Sequence, residues 1–216
     1  GYTSDLDLVY LFDDPDQEAG QTYARLSNRL TTWLSGSTAA GTLYDIDLRL
    51  RPNGDDGFPV HSTAAFDKYQ HENAWTWEHQ SLTRARFVCG DPDIGRQFED
   101  TRRRILRLRR DPDTLRREIL AMREKITAAH PPLPTDIKYA RGGIVDVEFI
   151  VQYLILAHAA DCPALMDNTG NIALLDMAAR RGLLSQDAAA RTAAAYRHYR
   201  QVQHRQQLHG SGAVQV

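Results

Sequence analysis

The chain has 216 residues, 42% of them hydrophobic and 25% charged, which is enough apolar material for a core and no more charge than a globular domain carries. A net charge of −2 gives no global electrostatic case for nucleic acid or a membrane surface as partner. The two cysteines, Cys89 and Cys162, are far apart and exclude a thiolate metal framework, so a reducing, cytoplasmic setting is expected.

Residues 4–12, "SDLDLVYLF", read as a strand. Residues 14–36 read as a helix, with acids in its first turn, Gly36 after its last, and a stripe of Leu26, Leu30 and Leu34 with Tyr23 and Trp33. Residues 42–52, "TLYDIDLRLRP", alternate strictly: Asp45, Asp47, Arg49 and Arg51 against Ile46, Leu48 and Leu50. Residues 53–57 form a turn, 63–79 a helix and 81–91 a further strand. From 92 onward the pattern is helical: 92–108, 112–129, 143–159 and 171–206, the last broken near Gly182, with "HPPLP" (130–134) separating the second from the third. The longest apolar stretch, 149–160, is too short for a bilayer, which needs about 20 residues. The domain expectation is 1–91 for an α/β part, 92–210 for a helical part and 211–216 for a tail. The chain opens directly on a motif, as a cut from a longer polypeptide would.

Asp5 and Asp7, at i and i+2 of a strand, share a face and lie roughly 6.6 Å apart at Cα. Adjacent carboxylates raise each other's pKa unless a cation separates them. Mg²⁺ is the natural candidate, because it takes carboxylate oxygens together with substrate phosphates. Asp47 on the neighbouring run offers a third carboxylate, and Arg49 and Arg51 on its face offer positive charge to phosphate oxygens. Three carboxylates can hold the metal pair used for in-line attack at phosphorus. The same spacing also suits a solvated strand face, and Asp47 with Arg49 suits a surface ion pair.

Four segments are together far more specific: "SDLDLVYLFDDP", "LYDIDLRLRPNGDDGFPV", "ENAWTWEHQSLTRARFVCGD" and "GGIVDVEFIVQYLIL". In this order, over nearly the whole chain, they resemble the bacterial glutamine synthetase adenylyltransferase family. The resemblance implies an α+β fold: a DNA polymerase β-like nucleotidyltransferase core with a mixed sheet, followed by an all-helical bundle. It implies transfer of AMP from ATP to a tyrosine of glutamine synthetase, with pyrophosphate released. "NAWTWEHQ" followed by "LTRAR" is similar to the adenylylating half. Phosphorolytic removal of AMP, and a non-catalytic module binding the PII signal protein and glutamine, are the alternatives. Asp5, Asp7 and Asp47 match the family's metal-binding acids, Asp47 also as the group that helps deprotonate the tyrosine. The glycine-rich turn that precedes the acids in the family is not matched by Gly1-Tyr2-Thr3-Ser4, which leaves Ser4 as the local phosphate neighbour.

Other residues admit two readings each. Arg84 and Arg86 alternate on the expected strand and suit either a nucleotide pocket or salt bridges. Lys138 and Arg141 precede Gly142-Gly143, whose amides open a helix and suit a phosphate, and both cations are candidate phosphate contacts. Asp146 and Glu148 point about 200° apart on that helix, so a shared metal is disfavoured and a structural or domain-docking role favoured. Trp75 and Trp77 suit a base pocket or, more simply, packing. The run "TRRRILRLRR" (101–110) suits a solvated face with a core stripe of Ile105 and Leu108. His198 and His204 have no companion ligands.

Overall fold

The computed structural model describes residues 5–16, 18–39, 41–42, 44–54, 57–133 and 135–208. It is an α+β protein that divides into two compact units, Gly1–Glu78 with Phe87–Ile105, and His79–Arg86 with Leu106–Val216.

The first unit is built on one extended run with two partners. Its first part, β1 (Leu6–Asp7), pairs in parallel with β5 (Ile46–Asp47). Its second part, β2 (Tyr10–Phe12), pairs in parallel with β6 (Val60–Ser62). A parallel return needs a crossover, and α1 (Ala19–Ser35) supplies it between β1 and β5. A small antiparallel hairpin, β3 (Ser37–Thr38) with β4 (Gly41–Thr42), follows α1. The described strands thus form three two-stranded ladders rather than the single mixed sheet expected.

Helix α1 starts at Ala19, not at residue 14. Asp14 accepts the Asp16 N–H (2.9 Å) and Asp16 accepts the Glu18 N–H (2.9 Å), so these acids make turns that compete with helix. Its inward face is Ala19, Tyr23, Ser27, Leu30, Thr31 and Leu34, while Leu26 and Trp33 stand outside it, Trp33 71% exposed. The expected leucine stripe is therefore only partly the buried one.

The 63–79 helix is two helices, α2 (Thr63–Glu72) and α3 (Thr76–Leu82). Ser62 caps the first by accepting the Ala65 N–H, and Glu78 Oε2 accepts the Trp75 N–H at the start of the second. Residues 81–91 are not a strand. Arg84 and Ala85 both donate backbone N–H groups to the Ser81 carbonyl, so α3 ends in a turn and no neighbouring strand is paired.

Helix α4 (Pro92–Leu106) falls largely in the first unit, and 79–86 falls in the second, so the division does not follow the expected 91/92 boundary. The reason is packing. Phe98 of α4 meets Phe66 of α2 at 6.0 Å between ring centres, and Thr101 and Arg104 both donate to Asp67. The buried stripe of the basic run is Thr101, Arg102, Ile105 and Leu106, rather than Ile105 with Leu108.

The second unit is a helical bundle of α5 (Pro112–Ala129), α6 (Ile144–His158), α7 (Asn171–Arg180) and α8 (Gln186–Leu208), with a short 3₁₀ turn at Pro163–Met166. Helix α6 is apolar on nearly every side, with Val147, Val151, Leu154, Ile155 and Leu156 buried, as befits the helix that the others surround. The expected break near Gly182 is a left-handed stop. Gly182 has φ +73, its N–H reaches the Ala179 carbonyl, and the Leu183 N–H reaches that of Ala178. No helix among the described residues is long and apolar enough to cross a membrane.

Candidate functional site

The two acidic runs lie side by side in one parallel ladder. Asp7 and Asp47 are register partners across the β1–β5 ladder, and such partners project to the same side. The ladder is fixed by backbone bonds from Leu6 N–H to the Asp45 carbonyl (2.8 Å) and from Leu8 N–H to the Asp47 carbonyl (2.9 Å). A cavity of about 480 Å³ opens here, lined by Asp5, Thr31, Asp45, Asp47, Arg49 and Arg51 among others. Asp7 is exposed and does not line it.

Asp47 is half-buried and fully engaged. Its carboxylate accepts the Arg49 backbone N–H (2.8 Å), two bonds from Arg49 Nε (3.0 and 2.9 Å) and one from Arg49 Nη2. Hydrogen bonding to the Arg49 side chain is the largest influence, and it holds the Asp47 pKa below the usual carboxylate range against the opposing effect of burial. Arg51 is differently placed. Its Nη1 donates to the Leu48 carbonyl (3.1 Å) and its Nε to that of Gly57 (3.3 Å), so it ties down the loop between β5 and β6. The turn that begins at Arg49 is also why only Ile46–Asp47 of the expected 42–52 strand pairs as strand beyond the hairpin.

The donors fit a hard cation. Asp5, Asp7, Asp45 and Asp47 offer oxygen only, from two adjacent backbone runs, which suits Mg²⁺ and not a thiolate-seeking metal. Among the described residues no three His, Cys, Asp or Glu side chains are already converged as a ligand set. Asp47 in particular is turned onto Arg49. Asp45 is the acid that the sequence reading left out of the site, although its position two residues before Asp47 signals the shared face. Thr31 had no such signal, because it comes from α1.

Arg84, Arg86 and Lys138 belong to the second unit. Ser4 is outside the described residues. Arg84 belongs to the second unit, where its Nη1 pairs with Glu148 (3.1 Å) and its carbonyl accepts Asn168 Nδ2 (3.0 Å). Tyr196 also donates to Glu148 (3.2 Å), and burial raises the phenol's pKa, helped by the nearby carboxylate charge. Arg86 is exposed and has no ion pair among the described residues. Lys138 lies over the Tyr139 ring, 4.8 Å from its centre. Trp75 is 69% exposed, so core packing does not account for it.

Asp146 fills the amide site that Gly142-Gly143 seemed to offer a phosphate. Its Oδ2 accepts the Gly142 N–H (2.6 Å), and its Oδ1 accepts Arg123 Nε. Arg123 also donates from Nη2 to the Tyr139 carbonyl (2.7 Å) and from Nη1 to Thr127 Oγ1. Asp146 and Glu148 are thus drawn to different partners, the first to Arg123 and the second to Arg84 and Tyr196. Gly143 is required by close approach: a Cβ there would lie 2.6 Å from the Ile137 carbonyl oxygen.

Comparison with known proteins bears on both units. A family model described as glutamate-ammonia ligase adenylyltransferase matches residues 1–101. One described as GlnD PII-uridylyltransferase matches residues 113–213, a span that includes "RGGIVDVEF". Over 216 residues the chain is 60% identical to the bifunctional glutamine synthetase adenylyltransferase/adenylyl-removing enzyme of Neisseria meningitidis serogroup A. It is 56% identical to the enzyme of the same description from Chromobacterium violaceum, and 51% identical over 224 residues to that from Burkholderia pseudomallei. All of the chain is covered in each case, and it spans 24% of the relative's length.

Proposed function

We propose that this chain carries a nucleotidyl-transfer centre of a glutamine synthetase adenylyltransferase, and that its reaction moves AMP from ATP to a tyrosine hydroxyl of glutamine synthetase. The bond formed joins the tyrosine oxygen to the α-phosphorus, and the bond broken releases pyrophosphate. The observation that carries the reading is the juxtaposition of Asp7 and Asp47 across a parallel ladder, beside a cavity that Asp5, Asp45, Arg49 and Arg51 line. The 60% identity to a relative named for this activity supports it. A polymerase β-like core is proposed on the same resemblance, with PII and glutamine as regulators of the intact polypeptide.

Asp5, Asp7 and Asp47 would hold Mg²⁺, which when bound neutralises phosphate charge and acidifies the attacking hydroxyl. The chain's own residues set the rest. The surplus of acid at the ladder repels a bare triphosphate, so nucleotide and cation are bound together. Arg51, anchored on two carbonyls, presents a fixed positive charge at the cavity. Asp47 serves as a ligand and, as the resemblance implies, helps to deprotonate the tyrosine hydroxyl.

The test is transfer of label from α-labelled ATP to glutamine synthetase by the intact polypeptide. Asp7→Asn and Asp47→Asn should each abolish it, and undiminished transfer would refute the assignment. The relatives' description names an adenylyl-removing activity as well, so phosphate with adenylylated glutamine synthetase forms the second arm. If release of ADP from it depended on Asp7 and Asp47, and forward transfer did not, the direction would be reversed.

A further inference from the structure

We infer that Arg49 is an internal counter-cation that occupies Asp47 until a divalent cation displaces it. This rests on the metal-site reading above and goes beyond it, because it assigns Arg49 a role opposed to metal binding rather than only to phosphate contact.

Three observations carry the inference. First, Arg49 engages both Asp47 oxygens, so a cation that needs either must compete with the guanidinium. Second, the two partners differ in freedom. The Asp47 side chain is 15% exposed, on a backbone held in the ladder by the Leu8 N–H, whereas the Arg49 side chain is 71% exposed. Arg49 is therefore the partner that water can solvate when the pair parts. Third, the neighbouring arginine is built otherwise. Arg51 is tied to the Leu48 and Gly57 carbonyls, and removing it would release the loop. The pair at Asp47 is thus a forked ion pair with one exposed partner, in a cavity that Asp5 and Asp45 also line. Arg49 is a positioning residue in this role: it sets how readily Asp47 accepts a metal.

The fork distinguishes this role from simple charge. Lysine keeps the charge but cannot satisfy both carboxylate oxygens in one plane. Mn²⁺ binding to the intact polypeptide without nucleotide, followed by the paramagnetic signal of the free ion, should tighten about 5-fold in Arg49→Gln. Most of that gain should appear in Arg49→Lys, and none when Asp47→Asn is also present. Equal binding by wild type and Arg49→Lys would overturn the proposal, because a diffuse charge effect predicts that result. Weaker binding in Arg49→Gln would overturn it too. If Asp47→Asn alone leaves Mn²⁺ binding unchanged, the metal-site reading fails and this inference fails with it. If Asp47→Asn weakens binding but the Arg49 variants bind as wild type, only the counter-cation role fails.

Discussion

Replacing Asp146 with alanine should destabilise the helical unit rather than disable a ligand site. Asp146 is 25% exposed at its side chain and Arg123 is 12% exposed, so the pair is largely withdrawn from water. Among the described residues, the substitution leaves the Arg123 guanidinium with the Tyr139 carbonyl and Thr127 as partners, and it strips the Asp146 acceptor from the Gly142 N–H. Breaking one side of a buried pair costs about 3 kcal/mol. For a unit of about 120 residues, an unfolding entropy of about 2 cal/mol/K per residue turns this into a fall of roughly 12 °C in the unfolding midpoint. Thermal unfolding followed by circular dichroism at 222 nm reads the change directly. Asp146→Asn keeps one acceptor and should lose about half as much. A midpoint within about 2 °C of wild type, together with lost Mg²⁺ or phosphate binding, would refute the structural assignment and restore Asp146 as a ligand.

Two further outcomes follow from the same structure. Gly143→Ala forces a Cβ against the Ile137 and Ala140 carbonyl oxygens, both backbone, so it should cost about 2 kcal/mol in urea unfolding; a neutral effect would show that the turn yields freely. His61 has a buried, unpartnered Nε2, and burial, its largest influence, together with the Arg51 charge holds its pKa below 6.5. The unfolded chain then binds the proton more readily than the folded one, so this contribution is fully present above about pH 6.5 and is lost as pH falls through the lower folded value. An NMR titration of the His61 ring with an inflection at or above 6.5 would contradict this, and His61→Gln should flatten the stability profile in that window.

The two kinds of information in the sequence were unequally legible. Period-two alternation around Asp5, Asp7 and Asp47 is a local property, and it pointed to neighbouring strands with acids on one face; the register that pairs Asp7 with Asp47 is seen only in the fold. The helical segments were legible for a similar reason: Asp111-Pro112 starts α5 and Gly182 stops α7, both through their own backbone chemistry. What failed depended on partners distant in sequence. Arg84 and Arg86 alternate as strand residues would, yet among the described residues no strand pairs with 81–91, and Arg84 is spent on Glu148. Val60–Ser62 is too short to announce itself until β2 is there to pair it. The most buried residues of α1 are Ala19 and Ser27, neither of them in the expected stripe of leucines and aromatics. A structural role for Asp146 was expected, but its partner Arg123, 23 residues away in the chain, was not legible.

The central claim is that Asp5, Asp7 and Asp47 form a cation-dependent centre for AMP transfer to glutamine synthetase. Its most direct measurement is label transfer from α-labelled ATP to the tyrosine of glutamine synthetase, with and without Mg²⁺, by intact wild type and Asp47→Asn. The account predicts transfer by wild type only with Mg²⁺, and a loss of at least about 100-fold in Asp47→Asn. Transfer by Asp47→Asn at the wild-type rate would contradict it.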